Sequence, residues 1–340
     1  MPSKPCVSTI MRTFPVTLVI MVSIILIASN GVSIPTSSAS DEDDKLPEFD
    51  KLWNYQHPDK TEAKFRELLP IAEKAGDISY HIQLLTQIAR TQGLQQKFDE
   101  AHQTLDEAEK MVNDQYPLGK IRYLLERGRV FNSAKSPDKA KPLFIQAWEF
   151  GVKHKQDYYA VDAAHMMGII ETPIEALRWN EKALKYAEDP QHKKAKLWLG
   201  SLYNNIGWTY FDQKKYDQAL ELFQKDVKWY QEMKKPYQTR VARWSVAKTL
   251  RHQGKTQAAL NMQQEILKEI EESKADADGY VFEELGECLY ALDKKEAAQN
   301  YFAKAYKLLS KDQWLVRDEP ERLERLKKLG KVETAEPVQK

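Results

Sequence analysis

The sequence contains few of the residues that build crosslinks, phosphate sites or strongly charged surfaces. It has two cysteines, Cys6 and Cys288, and Cys6 lies in an N-terminal stretch that we expect to be removed, so no disulfide is expected within the remaining chain. Its 13 glycines form no glycine-rich loop at the start of a helix, which argues against a phosphate-binding cradle. The net charge of +1 argues against a strong overall attraction to nucleic acid or to an anionic membrane.

Catalytic and metal-binding motifs are also missing from the sequence. The seven histidines form no His-x-x-x-His pair, none stands beside a cysteine, and no Gly-x-Ser-x-Gly motif occurs. Asp162 and His165 are three residues apart, so one helical face would present both, and such a pair can hold a metal or orient a general base. A structural or surface role is the simpler interpretation of the pair. We therefore predict a protein that is not an enzyme and has no cofactor, and we expect Cys288 to act as a small, half-buried hydrophobic residue.

The sequence does contain a repeat with a period of about 39 residues. A small residue is followed by another small residue after 12 positions and by a large one after 16, as in Gly207, Ala219 and Phe223. The small residues that begin this pattern are Ala89, Gly128, Ala164, Gly207, Ala247 and Gly286. Self-similarity at a fixed period in this range indicates a solenoid, in which each repeat packs on its neighbours.

Each period reads as two helices joined by a short polar turn. In the fifth period, Tyr203, Gly207 and Tyr210 share one face of a first helix, and Ala219 and Phe223 share one face of a second. Residues 212–215 form the polar turn between them. A very small side chain at the crossing point allows two antiparallel helices to approach closely, and the phenylalanine then fills the space between repeats.

This pattern resembles the tetratricopeptide repeat (TPR) family. Residues 279–309 carry the family's sequence of large, small and aromatic positions, with Phe282, Leu285, Gly286, Leu289, Ala298, Phe302 and Ala305. Other repeats depart from it at Arg127, Asn180, Asp226 and Gln263. The resemblance implies an all-α, right-handed α-solenoid of about seven TPR-like helical hairpins with a C-terminal capping helix. The spacing of about 40 residues, longer than the family's usual 34, resembles the long-repeat variety.

The expected organisation follows from this register. Residues 1–39 are a signal peptide or anchor, 40–45 an acidic linker, 311–330 a capping helix and 331–340 a flexible tail. The array covers 46–310, with repeats near 46–76, 82–111, 120–150, 157–187, 200–230, 240–270 and 279–309.

The N-terminal stretch has the layout of a secretory signal peptide. Lys4 and Arg12 precede an apolar run over residues 16–28, and Ser37 and Ala39 form a plausible cleavage site. We therefore predict an exported protein, located in a bacterial periplasm. The alternative is a membrane anchor formed by the uncleaved segment, because the apolar stretch approaches the length needed to cross a bilayer.

The resemblance implies that the first helices of the repeats line a concave groove that binds a peptide or protein partner. The inward positions contain aromatic residues and arginines, which dominate binding hot spots. The predicted groove residues are Arg90, Arg122, Arg129, Asn132, Tyr158, His165, Asn204, Trp208, Phe211, Trp244, Lys248, Arg251, Tyr280, Glu283, Glu287 and Tyr290. The arginines and Lys248 predict a mostly basic groove, and Glu283 with Glu287 predict an acidic end.

Three alternatives to this groove stay open. The same residues would serve as packing between repeats or as a solvated face if no partner binds there. An assembly scaffold would use the convex face, and a metal-dependent or hydrolytic accessory enzyme would use Asp162 and His165. The balanced charge makes nucleic acid an improbable partner, and a membrane is expected only if the N-terminal segment stays uncleaved.

Overall fold

The computed structural model of the protein describes residues 46–332, and in this range all regular structure is helical. Two short 3-10 turns, Phe49–Leu52 and Ala195–Trp198, accompany fifteen α-helices in these residues. The α-helices are α1 Pro58–Ala75, α2 Ile78–Leu94, α3 Phe98–Glu109, α4 Pro117–Ser133, α5 Pro137–Lys153, α6 Asp157–Ile170, α7 Pro173–Glu188, α8 Leu199–Asp212, α9 Tyr216–Glu232, α10 Pro236–His252, α11 Thr256–Glu272, α12 Gly279–Ala291, α13 Lys295–Leu309, α14 Gln313–Asp318 and α15 Pro320–Gly330. The predicted all-α class is confirmed.

The chain forms two compact units, which we call the N-terminal unit, ending at Ser201, and the C-terminal unit, beginning at Leu202. The N-terminal unit contains α1 and the hairpins α2–α3, α4–α5 and α6–α7. The C-terminal unit contains most of α8, which pairs with α9, the hairpins α10–α11 and α12–α13, and two closing helices. Instead of a complete hairpin, the predicted first repeat has a single α-helix preceded by a 3-10 turn.

The repeated small residues occupy the helix crossings, as the sequence pattern predicts. A Cβ atom added to Gly128 would lie 2.5 Å from the ring of Phe144, and one added to Gly207 would lie 2.5 Å from the ring of Phe223. Both phenylalanine side chains are completely buried. Glycine is therefore required at these crossings because no larger residue fits without displacing an aromatic ring that fills the core.

Most turns inside the hairpins end the first helix with a residue in the left-handed conformation. In the turn between α8 and α9, Lys214 has φ of 60°, and the amide of Lys215 donates to the carbonyl of Tyr210 at 2.9 Å. This hydrogen bond is that of a Schellman motif, which satisfies a carbonyl at the end of the helix. The left-handed positions are Gln96, Lys135, Lys214, Gly254 and Asp293.

Proline marks the beginning of many helices. Pro58, Pro117, Pro137, Pro173 and Pro236 stand in the first turn of α1, α4, α5, α7 and α10. Proline fits this position because its missing N–H has no partner within the helix there. The first helices of the hairpins begin at residues 78, 117, 157, 199, 236 and 279, and a proline stands at two of these starts, 117 and 236.

The four departures from the family pattern, Arg127, Asn180, Asp226 and Gln263, all place a buried polar side chain at a packing position. Arg127 is buried in place of a large apolar residue and donates to Asp106 at 2.5 Å and to Glu109 at 3.3 Å. Asp226 is buried in place of a small residue, and its Oδ1 has no hydrogen-bond partner among the described residues. Burial raises the pKa of Asp226 well above its usual value. The buried charge of Arg127 is compensated by two acids, whereas Asp226 has no such compensation in the described part of the chain.

Two helices close the C-terminal unit, where the sequence predicts one capping helix over residues 311–330. Pro320 begins α15, because a proline at that point cannot continue α14 and suits the start of a new helix. Leu323 and Leu326 of α15 are buried against the last hairpin. The closing helices thus cover the apolar side of α13 that no further repeat covers.

Some predictions concern residues outside the described range. The signal peptide or anchor over 1–39, the linker over 40–45 and nearly all of the tail over 331–340 lie there. Among the residues that the structure describes, no helix is both long and apolar enough to cross a membrane.

Candidate functional site

The predicted groove residues lie on the first helices of the hairpins, and in each unit we call the surface that they occupy its first-helix face. Six belong to α2, α4 and α6 in the N-terminal unit, and ten belong to α8, α10 and α12 in the C-terminal unit. Arg122, His165 and Glu283 are buried, and Tyr290 is 40% exposed. The others are half-buried, namely Arg90, Arg129, Asn132, Tyr158, Asn204, Trp208, Phe211, Trp244, Lys248, Arg251, Tyr280 and Glu287.

In the N-terminal unit, the arginines of this face form a ladder with two buried acids. Glu126 Oε1 accepts from Arg90 at 3.1 Å and from Arg129 at 2.6 Å. Arg129 also donates to Asp162 at 2.5 Å. The ladder links α2, α4 and α6, so these arginines act as interhelical ties. The prediction of a basic face is wrong for this unit, because Glu126 pairs with Arg90 and Arg129, and Asp162 pairs with Arg129.

Arg122 is held by an acid from far along the chain. Its guanidinium donates to the two oxygens of Asp50 at 2.6 and 2.8 Å, and one nitrogen lies 3.3 Å from the hydroxyl of Tyr159. Arg122 is 5% exposed, so this bidentate pair compensates a buried charge. Its Nε has no hydrogen-bond partner in the described part of the chain.

Asp50 belongs to a short stretch that crosses the first-helix face, and we call residues 47–55 the leading segment. The hydroxyl of Tyr80 donates to the carbonyl of Pro47 at 2.8 Å. Phe49 is buried edge-on against the ring of Tyr80, with 5.0 Å between ring centroids. The indole N–H of Trp53 donates to Gln87 at 3.1 Å. The leading segment therefore covers the outer part of this face in the N-terminal unit.

The guanidinium of Arg90 completes the contact with the leading segment. It lies 5.8 Å from the ring of Trp53 and 5.6 Å from the ring of Tyr55, and these two rings stack on each other. Such distances allow a cation–π attraction. Sequence reasoning missed the leading segment, although a group of aromatic residues inside a degenerate repeat is the signal that marks it.

His165 lies in a closed aromatic environment. Its ring is buried 5.3 Å from that of Trp198, and Tyr158 packs on the same indole at 5.4 Å. Burial lowers the pKa of His165 to about 4, which outweighs the opposing effect of Asp162. The imidazole is therefore neutral at pH 7, while Asp162 is engaged by Arg129.

Asp162 and His165 are each held by contacts within the N-terminal unit, Asp162 by Arg129 and His165 by the ring of Trp198. Within the residues that the structure describes, no group of three or more His, Cys, Asp or Glu side chains is placed to hold a metal ion. Structural ties account for the positions of both residues in the N-terminal unit.

In the C-terminal unit, a row of aromatic side chains replaces the ladder. The ring centroids of Trp208 and Trp244 are 5.8 Å apart, and Phe211 lies 5.0 Å from Trp208. The indole N–H of Trp244 donates to the backbone carbonyl of Tyr280 at 3.0 Å, and that of Trp208 donates to Asn204 at 3.1 Å. These hydrogen bonds hold the rings of Trp208 and Trp244 in place and leave them half-buried.

Lys248 stands in the middle of this row. Its ammonium nitrogen lies 4.9 Å from the ring of Trp244 and 5.8 Å from that of Trp208. Among the described residues, no acid forms an ion pair with it within 4 Å, in contrast to Arg251 beside it. Burial lowers the pKa of Lys248, and Glu284 and Glu283 partly oppose that effect from a longer distance. The face thus offers a cation that forms no ion pair with an acid of the described residues.

The remaining charges of the C-terminal face are paired. Arg251 donates to both oxygens of Glu284 at 2.5 and 3.0 Å. Glu283 accepts two hydrogen bonds from Arg322 at 2.8 and 2.5 Å, and Glu287 is paired with Arg325. Both of these arginines come from α15. The predicted acidic end is wrong, since the closing helix neutralises it.

Cys288 is fully buried on α12 rather than half-buried as expected from the sequence. Burial raises the pKa of the thiol to about 12. A thiol with that pKa is almost entirely protonated at neutral pH, and it packs as a small apolar side chain.

Comparisons with known proteins agree with this architecture. Residues 199–233 match the family model described as tetratricopeptide repeat, and no curated protein matches the sequence. One similar structure is a signal transduction ATPase with numerous domains from Pyrococcus horikoshii, which has a tetratricopeptide repeat sensor. It is 14% identical with a TM-score of 0.62, over 80% of this chain and 42% of that one. The apo form of RapI is 13% identical with a TM-score of 0.64, over 82% of this chain and 78% of its own.

Proposed function

Because the chain is a tetratricopeptide-repeat protein, we propose that it is a protein-interaction module that binds a peptide or protein partner on its first-helix face. The binding centre is the aromatic row of the C-terminal unit. No step of this function is catalytic, since the partner is held rather than converted.

The observation that carries the proposal is the half-buried group of Trp208, Trp244 and Lys248. Tryptophan contributes a large contact area at a low cost in conformational entropy, and such residues dominate binding energies at interfaces. The rings are already fixed by hydrogen bonds to Asn204 and to the carbonyl of Tyr280, so a partner would not need to order them. Preorganised aromatic surface of this kind supports a binding role for the C-terminal face.

The charge of Lys248 adds a preference for the ligand. A carboxylate that replaces water around this ammonium would form a charge-assisted hydrogen bond beside apolar rings. We therefore infer that the partner places an acidic group, from an aspartate, a glutamate or a chain end, between Trp208 and Trp244.

The test is capture of partners from an extract of the native host, followed by mass spectrometry and titration calorimetry with the partner identified. The double variant Trp244→Ala/Lys248→Ala is expected to bind that partner at least roughly tenfold more weakly than the parent. Ile174→Ala changes an exposed apolar side chain of the N-terminal unit and serves as a control that retains binding. A partner held equally by the parent and the double variant would contradict the proposed face and favour a scaffold that uses the convex side.

Export is a separate proposal, supported by the basic residues and the apolar run that precede residue 40. We propose that the protein reaches a bacterial periplasm after cleavage behind Ala39. Intact-mass measurement of the protein from the soluble periplasmic fraction is expected to show a chain that starts at Ser40. Recovery of the full-length chain in the membrane fraction would instead support the uncleaved anchor.

A further inference from the structure

The leading segment contacts the first-helix face of the N-terminal unit as a bound peptide would. It contributes one backbone carbonyl, one inserted ring, one carboxylate and one indole, and each has a partner on α2 or α4. The contacts reach residues up to 72 positions away in the sequence. One backbone hydrogen bond is internal to this stretch, from the amide of Lys51 to the carbonyl of Glu48, and the amide of Asn54 donates to the hydroxyl of Thr61 on α1 at 3.0 Å.

The receiving surface is built from buried and half-buried polar groups. The side chain of Arg122 is 6% exposed, whereas that of Asp50 is 56% exposed. The cation is thus a fixed part of the unit, and the acid approaches it from the solvent side. Gln83 lies beside the same guanidinium at 3.4 Å, and Gln87 presents its amide oxygen to Trp53. Without the leading segment, this arrangement would present a polar and cationic site next to an apolar pocket.

The place of the leading segment in the repeat explains how it can be exchanged. In the six hairpins that the structure describes, the second helix packs on the first helix of its own hairpin. In the described residues no α-helix precedes α1, and Phe65 of α1 is instead covered by a nine-residue segment whose regular structure is a 3-10 turn of four residues. Such a segment has few internal hydrogen bonds to lose, so it can leave the surface at a lower cost than a helix can.

We propose that this surface is a second peptide-binding site, which the chain's own leading segment occupies in cis. The ligand it accepts in trans is a peptide with an aromatic residue, a carboxylate directly after it and a second aromatic residue three positions later, as in Phe49, Asp50 and Trp53. The proposal rests on the proposed function in using the same face of the repeats. It concerns a different unit and a different set of side chains.

Each part of that pattern has a counterpart on the surface. The first ring enters the pocket between Phe65 and Tyr80, and the carboxylate takes both free ends of the Arg122 guanidinium. The second aromatic residue lies beneath Arg90 and bonds to Gln87. A bidentate arginine–carboxylate pair fixes orientation as well as affinity, so the order of the three groups along the peptide is specified.

The test uses the full chain and a fluorescent peptide with the sequence of residues 45–57. The variant Asp50→Ala/Trp53→Ala weakens the cis contacts and retains Phe49 in the core. We expect it to bind the peptide at least roughly tenfold more tightly than the parent does, as measured by fluorescence anisotropy. Adding Arg122→Gln to that variant is expected to abolish the gain in affinity. A control peptide with alanine in place of Phe49 and Asp50 is expected to bind neither the parent nor the double variant. A folded double variant that binds the peptide no better than the parent would overturn the proposal.

A second measurement on the unmodified protein decides the matter if the double variant does not fold. Hydrogen exchange of the Lys51 and Asn54 amides is expected to be at least roughly tenfold faster than that of the central amides of α1, because the leading segment opens without unfolding the unit. Exchange of both groups at one common rate would show that the segment leaves only on unfolding, and would overturn the proposal. Neither measurement uses the partner captured by the C-terminal face, so failure of that function would not be confused with failure of this site.

Discussion

The first-helix faces of the two units use the same positions of the same repeat and differ in what neutralises them. In the N-terminal unit, Arg122 and Arg129 are paired with Asp50 and Asp162, and the leading segment covers the outer part of the face. In the C-terminal unit, the centre of the face holds Trp208, Trp244 and Lys248, and Lys248 lacks an ion pair among the described residues. Position in the repeat therefore does not determine the character of a surface residue.

The comparison shows that acids on neighbouring helices determine which cations of a face are free to bind a ligand. An arginine that bridges two helices contributes to stability and is a poor ligand donor, because its hydrogen bonds are already used. A lysine between aromatic rings contributes little to the fold and can bind a ligand at a lower cost. The comparison yields three predictions, in order of decreasing effect.

The largest effect is expected from removing a cation of the ladder. Arg129→Ala leaves the carboxylates of Glu126 and Asp162 buried without their shared partner, and we expect it to lower the free energy of unfolding by about 3–5 kcal/mol. Lys248→Ala breaks no ion pair and is expected to lower it by less than about 1 kcal/mol. Urea unfolding of the two variants at pH 7 measures both values. Equal losses would remove the distinction between the two faces.

The next effect concerns acid stability of the N-terminal unit. The pKa of His165 is about 4 in the folded protein and near 6.5 when the chain is unfolded, so the unfolded state binds the extra proton. The stabilisation from the neutral ring is complete above pH 6.5 and is lost as the pH falls towards 4, by about 3 kcal/mol in all.

The His165→Phe variant isolates the contribution of the buried imidazole to the pH dependence of stability, because the neighbouring carboxylates remain in both proteins. We expect its free energy of unfolding, measured in urea between pH 7 and pH 4, to fall less steeply than that of the parent. Parallel curves for the two proteins would show that the buried ring does not couple folding to protonation.

The smallest effect is a gain in stability in the C-terminal unit. Asp226 occupies the position that Ala147 has in the N-terminal unit, and alanine there would remove a buried carboxyl group without a partner for its Oδ1. Asp226→Ala is expected to raise the free energy of unfolding by about 1–3 kcal/mol at pH 7.

The gain from Asp226→Ala should depend on pH in a defined direction. Because burial raises the pKa of Asp226 in the folded state, the parent loses stability as the pH rises above about 4, and the gain from alanine shrinks at lower pH. The reverse substitution, Ala147→Asp, is the matched control and is expected to destabilise the N-terminal unit. A gain that does not change with pH would contradict the raised pKa.

The helical hairpins could be predicted from the sequence because their signal is local. A glycine or alanine and the phenylalanine that packs on it recur at fixed offsets, and Gly128 with Phe144 shows the contact that the offsets imply. The turns follow from the same register, since residues 213–215 separate α8 from α9 within the predicted turn over 212–215. Period alone was sufficient for this level of structure.

The charge state of the faces could not be predicted in the same way. The repeat pattern identifies the inward positions of each helix separately, whereas Glu126 and Glu284 form ion pairs with arginines on neighbouring helices. Arg322 and Arg325 come from a closing helix outside the repeat, and Asp50 comes from a segment without any period. These contacts depend on side-chain length and on chain segments that the repeat pattern does not describe.

The left-handed lysine at the end of α8 has a consequence for which positions of this chain tolerate substitution. Glycine is the residue that adopts this conformation most easily, yet Lys135 and Lys214 hold it at φ of 57° and 60°. The hairpin geometry therefore imposes the turn, and the turn does not need a particular residue to form. The crossing is the opposite case, because a Cβ atom on Gly207 would lie 2.5 Å from the ring of Phe223. Side chains for labelling or immobilising the protein are therefore best introduced at the turns, where the architecture depends least on residue identity.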